Sequence, residues 1–206
     1  RLILLTRLRE QILADKVAVF DYDGTIVRFD TTRLQALSCL LFSPYAGLKL
    51  ILDGNFRSAR DKSLLIFSAT LNGKGLHFIR ATFLFYSLCA KLFLNKKIVR
   101  LMQRLQNEGY QIVIASGSLG IAIRSVIKEY VVIGLEFEMA HGKILPKQKR
   151  KRPVGDEKLQ QCIKFIRAHH FEQINFAISD SESDLPLLNF SIESYLVRGK
   201  RIVKWK

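Results

Sequence analysis

In two parts of the chain, Lys16–Val27 and Asn95–Lys206, short apolar runs alternate with segments of helical spacing. Val17-Ala18-Val19-Phe20, Ile112-Val113-Ile114-Ala115 and Ile174-Asn175-Phe176-Ala177-Ile178 are too short for helices and largely apolar on both faces, as strands buried within a parallel sheet are. Phe137 to Leu145 reads as a hairpin turning at His141-Gly142. Alternation of this kind predicts an α/β fold, a doubly wound, mostly parallel Rossmann-like sheet. Residues 30–94 carry helical spacing and no strand pattern, so they are expected to form a helical insertion, leaving residues 1–29 and 95–206 as the core. The first fifteen residues set Leu2, Leu5, Ile12 and Leu13 among Arg1, Arg7 and Arg9, which reads as a basic amphipathic helix, either packed on the core or touching a membrane.

The ends of the three strand runs carry the chemistry. The first opens into Asp21-Tyr22-Asp23-Gly24-Thr25, where two carboxylates at i and i+2 point the same way from extended backbone and Gly24 supplies the tight turn. Such a pair suits phosphoryl transfer, with one carboxylate attacking phosphorus, the other exchanging a proton with the leaving oxygen, and a magnesium ion offsetting the crowded negative charge. The second ends in Ser116-Gly117-Ser118, a hydroxyl beside a residue that lets a phosphate approach the backbone. Lys158 lies in Gly155-Asp156-Glu157-Lys158-Leu159 at the start of an amphipathic segment, and the third run ends in Ser179-Asp180-Ser181-Glu182-Ser183-Asp184-Leu185-Pro186.

This ordered set resembles the haloacid dehalogenase superfamily of phosphohydrolases from about Lys16 to the C-terminus. The resemblance implies that Asp21 is the nucleophile forming an aspartyl-phosphate and that Asp23 is the general acid, then the base that activates water. It implies that Ser116, Gly117 and Lys158, with Thr25, hold the phosphoryl oxygens, and that Asp180 joins Asp21 and the main-chain carbonyl of Asp23 around Mg²⁺. Asp184 matches a supporting acidic position that orients the site or meets metal through water. Ser179 stands where the family often has glycine. The pattern is closest to the phosphoserine-phosphatase-like branch, and the stretches Gly155–Lys158 and Asp180–Leu188 are similar to bacterial phosphatases of phosphatidylglycerophosphate. The insertion at residues 30–94, between the first and second motifs, resembles the mobile helical caps of this superfamily.

Composition bears on the substrate. Lys and Arg number 33 against 18 Asp and Glu, a formal charge of +15, so an anionic partner or surface is expected. Between Leu34 and Leu52 only Lys49 is charged, and Ala81–Ala90 has no charge at all. Arg28 and Arg33 precede the first stretch, Arg57, Arg60 and Lys62 follow it, and Arg80 and Lys91 bracket the second. Pro44 and Gly47 interrupt the first and the second is short, so neither reads as a membrane span; an apolar wedge with a basic rim suits an anionic lipid interface, or else forms the insertion's own core. Lys147-Gln148-Lys149-Arg150-Lys151-Arg152 adds a basic run that extends positive surface near the site or is a solvated loop. It lacks interleaved aromatics, which argues against nucleic acid.

Cys39, Cys89 and Cys162 are odd in number and set among apolar residues, so they are expected to be reduced core thiols in a cytoplasmic protein, which on the lipid reading is peripheral on the inner face of the membrane. His77, His141, His169 and His170 show no paired ligand spacing and are expected to be structural or surface residues. The sequence lacks an initiator methionine, which leaves a removed targeting segment open, and it is silent on oligomeric state. Three readings follow: a phosphatase of a lipid or membrane-associated phosphomonoester, the same chemistry on a soluble metabolite such as phosphoserine or a nucleotide, or a non-catalytic domain that binds anionic lipid or nucleic acid.

Overall fold

The computed structural model describes residues 15–42, 67 and 70–206. The expected N-terminal amphipathic helix at residues 1–14, the stretch holding Pro44, Gly47 and Lys49, and the bases Arg57, Arg60 and Lys62 lie outside the described residues.

Strand β1 (Lys16–Phe20) forms because four successive apolar residues can be buried on both faces only inside a sheet, and Val17 to Phe20 are at most 1% exposed. It pairs in parallel with β2 (Tyr110–Leu119) on one side and with β6 (Phe176–Ser179) on the other. The six-stranded sheet has the order β3-β2-β1-β6-β7-β8, with β3 (Val131–Leu135) parallel to β2, β7 (Glu193–Arg198) parallel to β6, and β8 (Arg201–Lys204) antiparallel to β7 at the edge. The chain reverses its direction of winding at β1, which puts a topological switch point, and hence a ligand crevice, at the carboxyl end of that strand. Phe20 is level with Ile114 and Ile178, so Asp21, the Ser116 loop and the Ser179-Asp180 loop emerge side by side.

Helices α3 (Lys96–Asn107), α4 (Gly120–Val126), α5 (Asp156–Ala168) and α6 (Leu185–Phe190) accompany the sheet. In α3 the buried Ile98, Met102 and Leu105 follow helical spacing, and Asn95 caps the helix by accepting from the Lys97 N–H. The expected hairpin is present as a separate two-stranded sheet, β4 (Phe137–Ala140) and β5 (Lys143–Gln148), and its turn residues His141 and Gly142 both take positive φ, the geometry that two-residue hairpins favour. Two elements differ from the sequence expectation. Strand β2 continues beyond Ala115 to Leu119 through an irregularity in its pairing with β3, and β6 starts at Phe176 because Asn175 instead caps β1, its side chain accepting from the Val17 N–H at 2.9 Å.

Between β1 and β2 the described helices are α1 (Thr32–Phe42) and α2 (Leu76–Leu92). The segments leading to and from them run side by side: the Arg28 N–H donates to Phe93 O at 3.2 Å, the Asn95 N–H donates to Ile26 O at 2.8 Å, and the Phe29 and Phe93 rings meet edge to face at 5.0 Å. Between Arg80 and Lys91, helix α2 carries no charge on any face. Ile79, Phe83, Tyr86 and Ala90 face the core, while Leu84, Leu88 and Leu92, four residues apart, are 62%, 61% and 82% exposed. Among the described residues no helix is long and apolar enough to cross a membrane.

Candidate active site

The carboxyl ends of β1, β2 and β6, with the first turn of α5, enclose a cavity of about 280 Å³ whose lining includes Asp21, Asp23, Gly24, Ser116, Gly117, Lys158, Asp180 and Asp184. Seven of the eight site residues expected from sequence therefore converge on one crevice. The eighth, Thr25, is wholly buried beneath it, where its hydroxyl lies 3.5 Å from Asp180 Oδ1.

Lys158 is central to the electrostatics. Its side chain is 4% exposed, and Nζ donates to Asp21 Oδ1 at 2.8 Å and to Asp184 Oδ2 at 2.5 Å. Burial alone would depress the ammonium's pKa, but the two carboxylates more than offset it and hold the pKa above the usual lysine range. Asp21 feels the same burial from the other side. Desolvation pushes its carboxyl up to about 8, opposed by Lys158 and reinforced by Asp184 and Asp23. Asp180 is likewise raised, by burial first, and its carboxyl makes a hydrogen-bonding contact with that of Asp21.

Asp23 is held differently. Its Oδ1 accepts from the Thr31 N–H at 2.7 Å and the Thr31 hydroxyl at 2.6 Å, while Oδ2 accepts from the Ser118 hydroxyl at 2.5 Å and lies 3.3 Å from that of Ser116. Burial raises its pKa, and the hydrogen bonds from Ser118 and Thr31 work against that rise. Behind Thr31 stands a buried polar chain. Gln35 Nε2 donates to the Thr31 hydroxyl at 2.9 Å, Gln35 Oε1 accepts from the Leu119 N–H at 3.3 Å, and the Tyr22 and Tyr86 hydroxyls meet at 3.0 Å with Gln35 Nε2 3.4 Å from the latter. Asp23 is thus tied to α1, α2 and the end of β2 at once.

The donor set fits a hard divalent cation. Three carboxylates, Asp21, Asp180 and Asp184, face one ammonium, which leaves a net charge of −2 when all are ionised, and Asp184 Oδ1 is buried with no partner among the described residues. The donors are all oxygen, as Mg²⁺ prefers. Gly24, at φ +74°, makes room for this cluster, since a Cβ there would sit 1.9 Å from Asp180 Oδ2. Among the described residues no three His, Cys, Asp or Glu side chains converge as ligands, and Asp23, its side chain turned to Thr31 and Ser118, has only its main-chain carbonyl to offer.

Several residues at the site escaped sequence reasoning. Ser118 follows Ser116 at i+2 in a strand that runs on, so both hydroxyls face Asp23; the alternation was present in the sequence, but the strand was expected to end too early. Ser179 donates to Asp184 Oδ2 at 2.6 Å and accepts from the Ser181 N–H, so the serine in place of glycine holds the supporting carboxylate. From the basic run, Arg152 enters the cavity wall and donates from Nε to Gly117 O at 2.7 Å, an approach that a side chain at Gly117 would block. Gln161 fastens that run to α5 by donating to Lys151 O at 2.7 Å.

Residues 18–189 match the family model of haloacid dehalogenase-like hydrolases. No curated protein sequence matches the chain. Among solved structures, a protein of unknown function from Bordetella pertussis Tohama I is similar with a TM-score of 0.66 at 14% identity, covering 88% of this chain and 89% of its own. A phosphoserine phosphohydrolase-like protein from Francisella tularensis subsp. tularensis SCHU S4 gives 0.59 at 22% identity, with 87% and 85% covered. A phosphoserine phosphatase solved as an analogue of its phospho-aspartyl intermediate gives 0.52 at 15% identity, with 88% and 85% covered. At these identities the likeness is one of fold.

Proposed function

This chain belongs to the haloacid dehalogenase-like hydrolases, and we propose that it is a magnesium-dependent phosphatase of phosphomonoesters that works through an aspartyl-phosphate on Asp21. The observation that carries the reading is the buried ion pair between Asp21 and Lys158 at the mouth of a parallel-sheet switch point. Asp21 Oδ attacks phosphorus and the ester P–O bond breaks, while protonated Asp23 gives its proton to the leaving alcohol oxygen. The resulting Asp23 carboxylate then takes a proton from water, which attacks the aspartyl-phosphate and releases inorganic phosphate and Asp21. Ser116 and Gly117 receive the phosphoryl oxygens, and Lys158, steadied by Asp184, keeps positive charge beside the nucleophile. Mg²⁺, held by Asp21, Asp180 and the Asp23 carbonyl, would neutralise the anionic charge that otherwise repels the phosphate.

The helices between β1 and β2 serve in this reading as a cap over residues 30–94, on a core of residues 1–29 and 95–206. Support comes from the close pairing of residues 26–28 with 93–95, which gives the insertion one narrow stem. The substrate we favour is a lipid or membrane-associated phosphate, met by peripheral binding. What supports it is the exposed row Leu84, Leu88 and Leu92, with Arg80 and Lys91 beside it on the same helix. A soluble ester such as phosphoserine is the second reading, favoured by the small polar cavity with Arg28, Asp30 and Arg152 in its wall.

Phosphate release with Mg²⁺ from p-nitrophenyl phosphate, phosphatidylglycerophosphate and lysophosphatidate in mixed micelles, and phosphoserine tests both the chemistry and the substrate. Asp21→Asn is expected to remove turnover by about a thousandfold or more with the circular dichroism spectrum unchanged, and a chelator to do the same reversibly. Undiminished activity in Asp21→Asn would sink the mechanism, and preference for phosphoserine would remove the lipid assignment.

A further inference from the structure

A second and larger cavity, about 610 Å³, adjoins the first and shares three wall residues with it, Gly24, Arg28 and Asp180. Its remaining wall comes from the stem and first turn of α3, through Asn95 and Lys97, and from the β7–β8 hairpin, through Val197, Arg198, Gly199, Lys200 and Ile202. Four bases therefore surround it, and the one acid in its lining is Asp180 at the inner end. Arg198 is occupied by Glu182 at 2.7 Å, whereas the side chains of Arg28, Lys97 and Lys200 have no partner among the described residues. Helix α3 directs its N-terminus to the same place and has no acidic residue in its first turn, so its dipole adds to the positive potential. The walls are fixed by backbone hydrogen bonds, Arg28 to Phe93 and Asn95 to Ile26 on one side and the β7–β8 ladder on the other. Val197 and Ile202 supply an apolar strip between the bases.

We propose that this cleft is a subsite for a second anionic group on the leaving alcohol, so that the substrate is a phosphomonoester whose alcohol portion carries another phosphate oxyanion. The inference rests on the phosphatase reading above, with Asp21 attacking one phosphate while the other lies among Arg28, Lys97 and Lys200 and the carbon chain between them crosses Val197 and Ile202. Asp180 stands between the two cavities, so a substrate that fills both has its two anionic groups separated by a spacer that passes this residue. A second phosphate on a soluble diol and a phosphodiester retained in a lipid headgroup present the same oxyanion chemistry, and two substrate pairs separate them.

The soluble pair is 1,6-hexanediol bisphosphate against hexyl phosphate, and the micellar pair is phosphatidylglycerophosphate against lysophosphatidate, whose leaving glycerol portion lacks a second anion. Beyond the statistical factor of two that equivalent phosphates give the diol, kcat/KM is expected to be about tenfold higher for the doubly anionic member of one pair or both, the pair identifying the source. In Lys97→Ala/Lys200→Ala that ratio is expected to fall to within about threefold, through KM, and to fall in wild type as salt rises. Equal kcat/KM within both pairs, or a preference that survives in the double variant, overturns the subsite. If no ester is hydrolysed, the phosphatase reading itself fails. The subsite is then decided by melting temperature: stabilisation by 1,6-hexanediol bisphosphate over hexyl phosphate in wild type and not in the variant supports it, and equal stabilisation refutes it.

Discussion

The Lys158 ammonium lies 2.8 Å from Asp21 Oδ1, both side chains shut away from solvent, at residues separated by 137 positions in sequence. Removing one partner from a buried ion pair leaves the other charge uncompensated. Lys158→Met is therefore expected to lower the free energy of unfolding by about 3–5 kcal/mol, with Asp184→Asn in the same background recovering part of the loss. Urea denaturation of the two single variants and the double measures this, and a loss below about 1 kcal/mol would mean that the pair is solvated after all.

Ser118 holds Asp23 by a hydrogen bond that favours the ionised carboxylate. Ser118→Ala removes it, so the Asp23 pKa, already raised by burial, rises further. In the proposed cycle Asp23 must be ionised to activate water, and the acidic limb of the kcat–pH profile is expected to move up by about one pH unit, lowering turnover at neutral pH. An unmoved limb with reduced kcat would assign Ser118 a packing role only.

Gly24 leaves no space for a side chain beside Asp180, and its φ of +74° is one that alanine adopts at a cost. Gly24→Ala is expected to displace the Asp180 carboxylate and to raise the Mg²⁺ concentration for half-maximal activity, with a loss of about a hundredfold in kcat/KM at low Mg²⁺. A magnesium titration of activity reads both effects.

Burial pushes the thiols of Cys39 and Cys162 up from 9.0 to about 12, whereas Cys89 is half-buried. In native protein at pH 8, Cys89 is expected to react first with a thiol reagent and the other two only after denaturation. The folded state keeps two protons that the unfolded state releases above pH 9, so stability should decline as pH rises from about 9 towards 12. Chemical denaturation across that range, with Cys39→Ala/Cys162→Ala as control, checks the sign.

Leu84 and Leu88 are exposed on α2, and neither lines the cavity that holds the groups given a role in catalysis. Leu84→Glu/Leu88→Glu is expected to change stability by no more than about 1 kcal/mol, to leave p-nitrophenyl phosphate hydrolysis intact, and to abolish binding to anionic vesicles. Marked destabilisation would show instead that this face is covered within the protein.

Much of the site was legible beforehand because its residues sit at the ends of strands whose burial is written in uninterrupted apolar runs. Val17 to Phe20 could only be an interior strand, and the motifs after it and its two neighbours had only one end of a parallel sheet to occupy. Local spacing also foretold the β4–β5 turn and the helix that carries Lys158. What spacing does not encode is which side chains meet across distant loops. The Ser118 contact with Asp23 joins residues 95 positions apart and depends on β2 running past its expected end; Arg152 reached the cavity because Gly117 left room for it. The basic cleft behind Gly24 joins the stem of α3 to an edge hairpin more than a hundred residues later, each base an ordinary surface residue in its own segment. Periodicity along the chain thus determined the sheet and the carboxyl end at which chemistry gathers, whereas register and packing between distant segments decided how Asp23 is held, what Lys158 neutralises and where a second anion can lie, since those contacts exist only once the strands are side by side.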